Sequence, residues 1–471
     1  MKLYFKLLFS VFFIVVLSAC GVSQKHYNSI EKSLASKKYK EAEKTMKKDK
    51  ESEYGEKNAL LYYLNLGWIY HLARDTKSAE ELFTEADRTI GEQFTKRTSD
   101  DVASVIGNDN NLPFRGEDFE KIMLTIIRTL DYSFASNLED ARVEVLKVDD
   151  RMKFLASQKN KKSTYTEDAL AHYLSALIYE VDNEDNDAYI SYLKAYKFYK
   201  RYQAKYGIEY LKSRYLSGST YNKKYVNGYI TDYARSYQLR VPSFIKQSLK
   251  RLMKEYANNS DLTMLEKELV DVKEIPNYEY KKMGQFIFVH YNGYAPKKVP
   301  VRFRIYPSRY GRRDISSTID MEYPTFKLRY HHIAYAKVNI NGNTYITDIV
   351  EPIDRIAVVD LMDRIGGIWT KMITRRIAKY LASELAGKAA GDSTFALIGN
   401  IASNISEQAD LRSWRILPAE IGMVPISLPP GTYNAVITFH SLSGSILDKT
   451  TINNIKISPN KKVFKMYRTI R

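Results

Sequence analysis

Five tyrosines, Tyr221, Tyr225, Tyr229, Tyr233 and Tyr237, recur at every fourth position inside the most basic stretch of the chain. Residues 197–254 hold 14 Lys or Arg against two acids, Glu209 and Asp232. On a helix this spacing makes one aromatic stripe. The phenols could stack on sugar rings or acyl groups while Lys223, Lys224 and Arg235 hold acidic groups. The same stripe also suits packing on neighbouring helices, with the cations solvated. Other reactive side chains are less organised. Asp109, Glu117 and Asp118 lack the alternating spacing of a calcium loop. His331 and His332 are adjacent, so in a strand they point to opposite faces and cannot share a metal. His71 and His172 fall within helical patterns, and Asp360 with Asp363 is a carboxylate pair of a kind common in chains of this size. There is no phosphate-cradling glycine loop, no His-Glu-x-x-His and no Gly-x-Ser-x-Gly. No catalytic residue, metal or diffusible cofactor is therefore expected, and a hydrolase is the weakest reading.

One thiol remains, Cys20, the single cysteine of 471 residues. It closes a segment that opens on Lys2 and Lys6 and continues through an apolar run from Leu7 to Leu17. That run is shorter than the roughly 20 residues a spanning helix needs, and it has the layout of a cleaved signal peptide over residues 1–19. Leu17-Ser18-Ala19-Cys20 resembles the lipobox of bacterial lipoproteins. The resemblance implies diacylglycerol on the Cys20 sulfur and an N-acyl chain such as palmitate on its nitrogen. Two or more acyl chains anchor a protein stably, whereas one is marginal. Gly21 stands where an Asp would suggest retention at an inner membrane, so the expected location is the outer membrane, facing the periplasm. With Cys20 acylated, no internal disulfide can form.

The chain has 44% hydrophobic residues and a formal charge of +17; removal of Lys2 and Lys6 leaves +15. It is long enough for two or three cores. The charge suits an acidic partner, such as lipid head groups, an acidic glycan or an acidic protein; an exported protein has little occasion to meet nucleic acid.

Tyr63, Leu66, Gly67, Tyr70, Ala79, Phe83 and Ala86 fall on the spacing of the tetratricopeptide repeat, and Ala176, Tyr179, Ala188, Tyr192 and Ala195 repeat those offsets. Small residues let two helices approach while aromatic ones fill the gaps between pairs. The resemblance implies a helical domain over 20–275, with pairs near 25–56, 60–93, 120–155 and 168–202, then basic tyrosine-rich helices over 203–257. Ser29 is expected to cap the first helix. Such repeats bind partners through a groove or face and have no chemistry of their own.

Near Pro276 the pattern becomes alternating. Expected strands are 285–291, 300–306, 326–340, 344–350, 432–439, 451–457 and 463–467, with turns at Asn292-Gly293 and Asn341-Gly342. Residues 410–420 read as an ordered junction. A small-residue segment, 361–409, predicts an inserted helical hairpin broken between Gly387 and Asp392. The fold expectation is thus α+β: a tetratricopeptide-like solenoid, then a β-sandwich-like domain over 284–471 carrying the hairpin. The layout is similar to a group of bacterial lipoproteins with such helices ahead of a β-rich C-terminal domain; that group implies no activity. The functional expectation is a lipid-anchored periplasmic scaffold or adaptor that binds envelope proteins. The alternative is a lipoprotein that recognises an acidic glycan or lipid through the tyrosine stripe.

Overall fold

Ser23 fixes where the fold begins: its hydroxyl accepts from His26 N at 3.2 Å as the N-cap of the first helix, and the Glu53 carboxylate accepts from both its amide and its hydroxyl. Ser29 lies inside that helix, so the capping expected there occurs six residues earlier. The computed structural model describes residues 21–95, 110, 112–157, 165, 167–207, 239–305, 319–390 and 408–470. Helices come first: α1 (Gln24–Ala35), α2 (Tyr39–Lys48), α3 (Ala59–Ala73), α4 (Thr76–Thr95), α5 (Asp118–Phe134), α6 (Leu138–Ala156), α7 (Ala169–Val181) and α8 (Asp185–Lys205). Among the described residues, α9 (Ser243–Tyr256), α10 (Asn259–Glu268) and α11 (Asn277–Lys282) follow.

Short connections make neighbouring helices into hairpins. Arg74, at φ 66°, ends α3 in the left-handed conformation, and two residues later α4 begins. α5 starts with a reciprocal capping box between Glu117 and Glu120. Helices α3 and α7 are buried on nearly every side, which is why their sequences are apolar nearly all round instead of striped, whereas α5, as deeply buried, takes Glu120, Arg128 and Asp131 inside with it.

Among the described residues ten strands follow: β1 (Gly284–Asn292), β2 (Lys297–Ile305), β3 (Ile319–Lys327), β4 (Tyr335–Ile340), β5 (Asn343–Ile346), β6 (Asp348–Glu351), β7 (Glu420–Leu428), β8 (Gly431–His440), β9 (Ile446–Ile457) and β10 (Lys462–Thr469). They form a sheet of order β10-β1-β7-β6, a sheet of order β5-β4-β8-β9, and a β2-β3 ribbon. In the first sheet β1 pairs parallel with β10 and antiparallel with β7. Asn292-Gly293 therefore makes no β1–β2 hairpin. Gly293 has φ +63°, and a methyl group there would come within 2.8 Å of His331 Cδ2, so the glycine serves a crossing and not a turn between partners. Asn341-Gly342 does join β4 to β5, both residues at positive φ.

Alternation along β1 divides the core. Phe286 and Phe288 pack with Val338, Ile426, Ile437 and Phe439 between the two four-stranded sheets. Ile287, Val289 and Tyr291 join the core shared with the helices. β1 is buried along its whole length, as a strand covered on both faces must be.

Three elements differ from expectation. β7 is missing from the expected strands, which leave 421–427 unassigned after the junction at 410–420, because Gly422 and Pro425 interrupt the pattern; Pro425 pairs with Ile287 beyond the end of β6, where no second neighbour needs its missing N–H. The expected hairpin begins earlier, as α12 (Ile353–Ala390), which passes through Gly387 without a break; residues 391–407 lie outside the described residues. β3 was absent from the reading as a separate strand, and it carries Pro324 within a two-stranded ribbon.

Candidate interaction surfaces

The repeat-pattern residues meet across helix hairpins. A methyl group on Gly67 would come within 2.5 Å of Phe83 Cε1, so α3 and α4 can approach this closely only with glycine there. Ala79, Phe83, Ala86, Ala176, Ala188, Tyr192 and Ala195 are all 0% exposed, and Leu66 is 2% exposed. Tyr63, Tyr70 and Tyr179 are half-buried against the core. Tyr70 donates to Glu43 Oε1 at 2.8 Å, tying α3 back to α2.

The inner side of this array is occupied by the chain's own sheet. Trp68 of α3 meets the Tyr291 ring edge-on at 5.1 Å, Phe134 of α5 meets Phe464 of β10, and Tyr199 of α8 donates to the Val350 carbonyl of β6 at 3.0 Å. At this seam His71 bridges Asp131 (Nδ1, 2.8 Å) and the Tyr291 hydroxyl (Nε2, 3.0 Å). An aspartate, a histidine and a hydroxyl in line could in principle move a proton. Here His71 and Tyr291 are 0% exposed and Asp131 4%, so the row has no face for a substrate. Burial pulls the imidazole below its ordinary range, with Asp131 opposing, and the row serves as a polar tie between helix and sheet.

A second tie lies further along. Glu180 of α7 accepts from Lys462 Nζ of β10 at 2.7 Å and from Arg251 of α9. Burial pushes this carboxyl up, but the two cations outweigh it and hold it at about 2.

The remaining reactive side chains are also absorbed by structure. Glu117 is paired with Lys298 and Arg364, Asp118 with Lys121 at 3.1 Å, and Asp360 with Arg364 at 2.7 Å. His331 is buried beside Asn292 while His332 is exposed, and both lie in the segment between β3 and β4, not in a strand. His172 is buried and stands 3.7 Å from Asp149. The stripe Tyr221, Tyr225, Tyr229, Tyr233 and Tyr237, with Lys223, Lys224 and Arg235, lies outside the described residues, as do Cys20 and Asp109.

What the array offers outward is the solvent side of α6 and α8. Val143 and Leu146 of α6 are 47% and 52% exposed, and Ile190 of α8 is 42% exposed. α12 is built into the core over Ile353–Leu361; beyond it Trp369, 41% exposed, leans on Tyr323 of β3 at 5.3 Å. No helix among the described residues is long and apolar enough to cross a membrane. One feature escaped sequence reasoning, the buried charge ties, whose partners lie up to 282 residues apart. Comparison with protein-family models, with curated proteins and with solved structures found no match.

Proposed function

We propose that this chain is a lipid-anchored scaffold or adaptor in the periplasm, held at the outer membrane by acyl chains on Cys20 and binding envelope proteins. In this reading the helix hairpins form a tetratricopeptide-like array and the two four-stranded sheets a β-sandwich-like body. The observation that carries it is the junction at Ser23, three residues after Cys20, whose amide and hydroxyl are locked to Glu53 at 2.7 and 2.8 Å. A lipid on Cys20 would thus be joined almost directly to an ordered body, without a long tether. Confinement to a surface raises the effective concentration of weakly binding partners.

The packing supports an outward-facing binding surface in this reading. Because the inner side of the helices is filled by β1, β6 and β10, contact falls on outer positions such as Val143, Leu146 and Ile190. Photo-cross-linking in living cells tests this. A photoreactive residue at 143 or 146 should capture a defined set of envelope proteins, and the capture should be lost in Cys20→Ser. Equal capture from position 68, buried at the helix–sheet seam, would contradict the assignment.

A further inference from the structure

Two ion-pair bridges hold α6 alongside α8. Arg142 of α6 meets Asp182 and Glu184, which lead into α8, at 3.1 and 2.5 Å, and Asp149 of α6 meets Lys194 of α8 at 2.6 Å. Residue numbers rise together from one bridge to the next, so the two helices run parallel, and both pack on α7. Leu146 stands one turn after Arg142 and one turn before Asp149, while Ile190 stands one turn before Lys194. The pair therefore lies at one level between the bridges, on either side of the gap, and both side chains are exposed, at 52% and 42%. Val143, one turn before Leu146 and 47% exposed, widens this apolar surface.

The rim around it is acidic in a chain that is otherwise strongly basic. Residues 138–156 and 182–194 hold nine acids against five bases, whereas the whole chain carries a formal charge of +17. Those bases are already engaged: Arg142 and Lys194 in the bridges, Lys147 with Glu144, Arg151 with Asp87, and Lys153 at 3.8 Å from Asp150. Glu139 and Asp187 are exposed and meet no cation among the described residues. Glu139, Val143, Leu146 and Asp150 follow at helical spacing, one outward stripe of α6 that begins and ends on an acid. At physiological ionic strength exposed charges are screened beyond about 8 Å. This rim, and not the net charge of the chain, thus sets what approaches the apolar surface.

We infer that the gap between α6 and α8 docks a cationic amphipathic helix of a partner protein. Its apolar residues sit on Val143, Leu146 and Ile190, and its Lys or Arg side chains meet Glu139, Asp150 and Asp187. This names the chemistry of the partner and rests on the outward binding surface proposed above. From Arg142 to Asp149 the gap runs about 10 Å, room for two turns of such a helix. The same acids repel acidic glycan and anionic lipid.

The test uses the mature chain from Gly21 on, which keeps every described residue, in detergent-free buffer. The probe is a fluorescent leucine–lysine peptide about four turns long with leucine at i, i+3, i+4 and i+7; a leucine–glutamate peptide of the same spacing is the control. Fluorescence anisotropy should show saturable binding of the lysine peptide only. Leu146→Ser with Ile190→Ser, at exposed positions, should weaken it about tenfold or more. Glu139→Lys with Asp187→Lys should weaken it as much at low salt and less at high salt. Glu81→Lys with Glu266→Lys, the same charge change at exposed positions of α4 and α10, should leave it unaltered. No saturable binding by the folded chain, equal binding of the glutamate peptide, or equal loss in the α4–α10 variant would overturn the site. Capture in cells from position 146 that persists without peptide binding would overturn this partner chemistry alone. Peptide binding that persists while position 146 captures nothing in cells would overturn the scaffold reading and leave the site standing.

Discussion

Glu351 shows how a single buried carboxyl sets a pH dependence. It is fully buried, with Oε2 unpartnered, and Tyr165 donates to its Oε1 at 3.2 Å and to Asp168 Oδ2 at 2.5 Å. Burial, then the charge of Asp168, pushes Glu351 well above the usual carboxylate range, and burial raises Asp168 to about 6. A carboxyl raised in the folded state contributes its stability fully below the ordinary value of about 4 and loses it as pH rises toward the folded value. Glu351→Gln cannot ionise. It should flatten the fall in stability as pH rises above the ordinary carboxylate value of about 4, and at pH 8 it should be more stable than the parent, read by urea unfolding. Greater loss at pH 8 than at pH 5 would sink this account. Gly67→Ala tests packing at the same scale. The added methyl must displace Phe83, an overpacking cost of about 1–3 kcal/mol set against a helix-propensity gain of about 1 kcal/mol. Net destabilisation is expected, relieved in part by Phe83→Leu.

Among elements, the seam between α7, α9 and β10 depends on Glu180. Its removal in Glu180→Gln leaves Arg251 and Lys462 buried without their anion, and about 3–5 kcal/mol should be lost at neutral pH. Because its folded pKa is depressed to about 2, the stability it contributes is present above its unfolded value and is lost as pH falls through the range from about 4 to 2. Acid denaturation curves of parent and variant should therefore approach each other from about pH 4 downward and converge only below about pH 2. In α12, Gly366 and Gly367 have open space where a Cβ would stand. Replacing both by Ala should strengthen the helix by about 0.5–1 kcal/mol each, seen as slower amide exchange across residues 362–390 with little change in global unfolding. Unchanged exchange would mean that the segment is held by contacts and not by helix propensity.

Helices before sheets were legible because spacing changes near Pro276 from four-residue steps to alternation. Pairing was not. The Asn292-Gly293 turn signal is local, yet β1 takes as neighbours β7 and β10, whose partners for Asn292 are Glu420 and Thr469. β7 was hidden by Gly422 and Pro425 and by burial on both faces, which removes alternation. The start of α12 was hidden by Ile356-Ala357-Val358-Val359, a β-branched run that is helical because the core surrounds it. Glu180 and Lys462 lie 282 residues apart and meet only through the fold, so no spacing rule could have linked them.

On the scale of the whole molecule, one apolar core joins α1–α10 to β1, β7 and β10. Helical and sheet regions should consequently unfold together. Far-ultraviolet circular dichroism and the fluorescence of Trp68 and Trp414, both buried in that core, should give coincident urea transitions, and residues 21–275 expressed alone should expose the apolar faces of α3 and α5 and aggregate. Two separated transitions would divide the molecule where the packing joins it. The placement of this single body at a membrane rests on Cys20. Mass spectrometry of the N-terminal peptide from membrane-purified protein tests that claim most directly. The account predicts a peptide that begins at Cys20 and carries diacylglycerol with an N-acyl chain; an unmodified Cys20, or a mature chain that begins elsewhere, would contradict it.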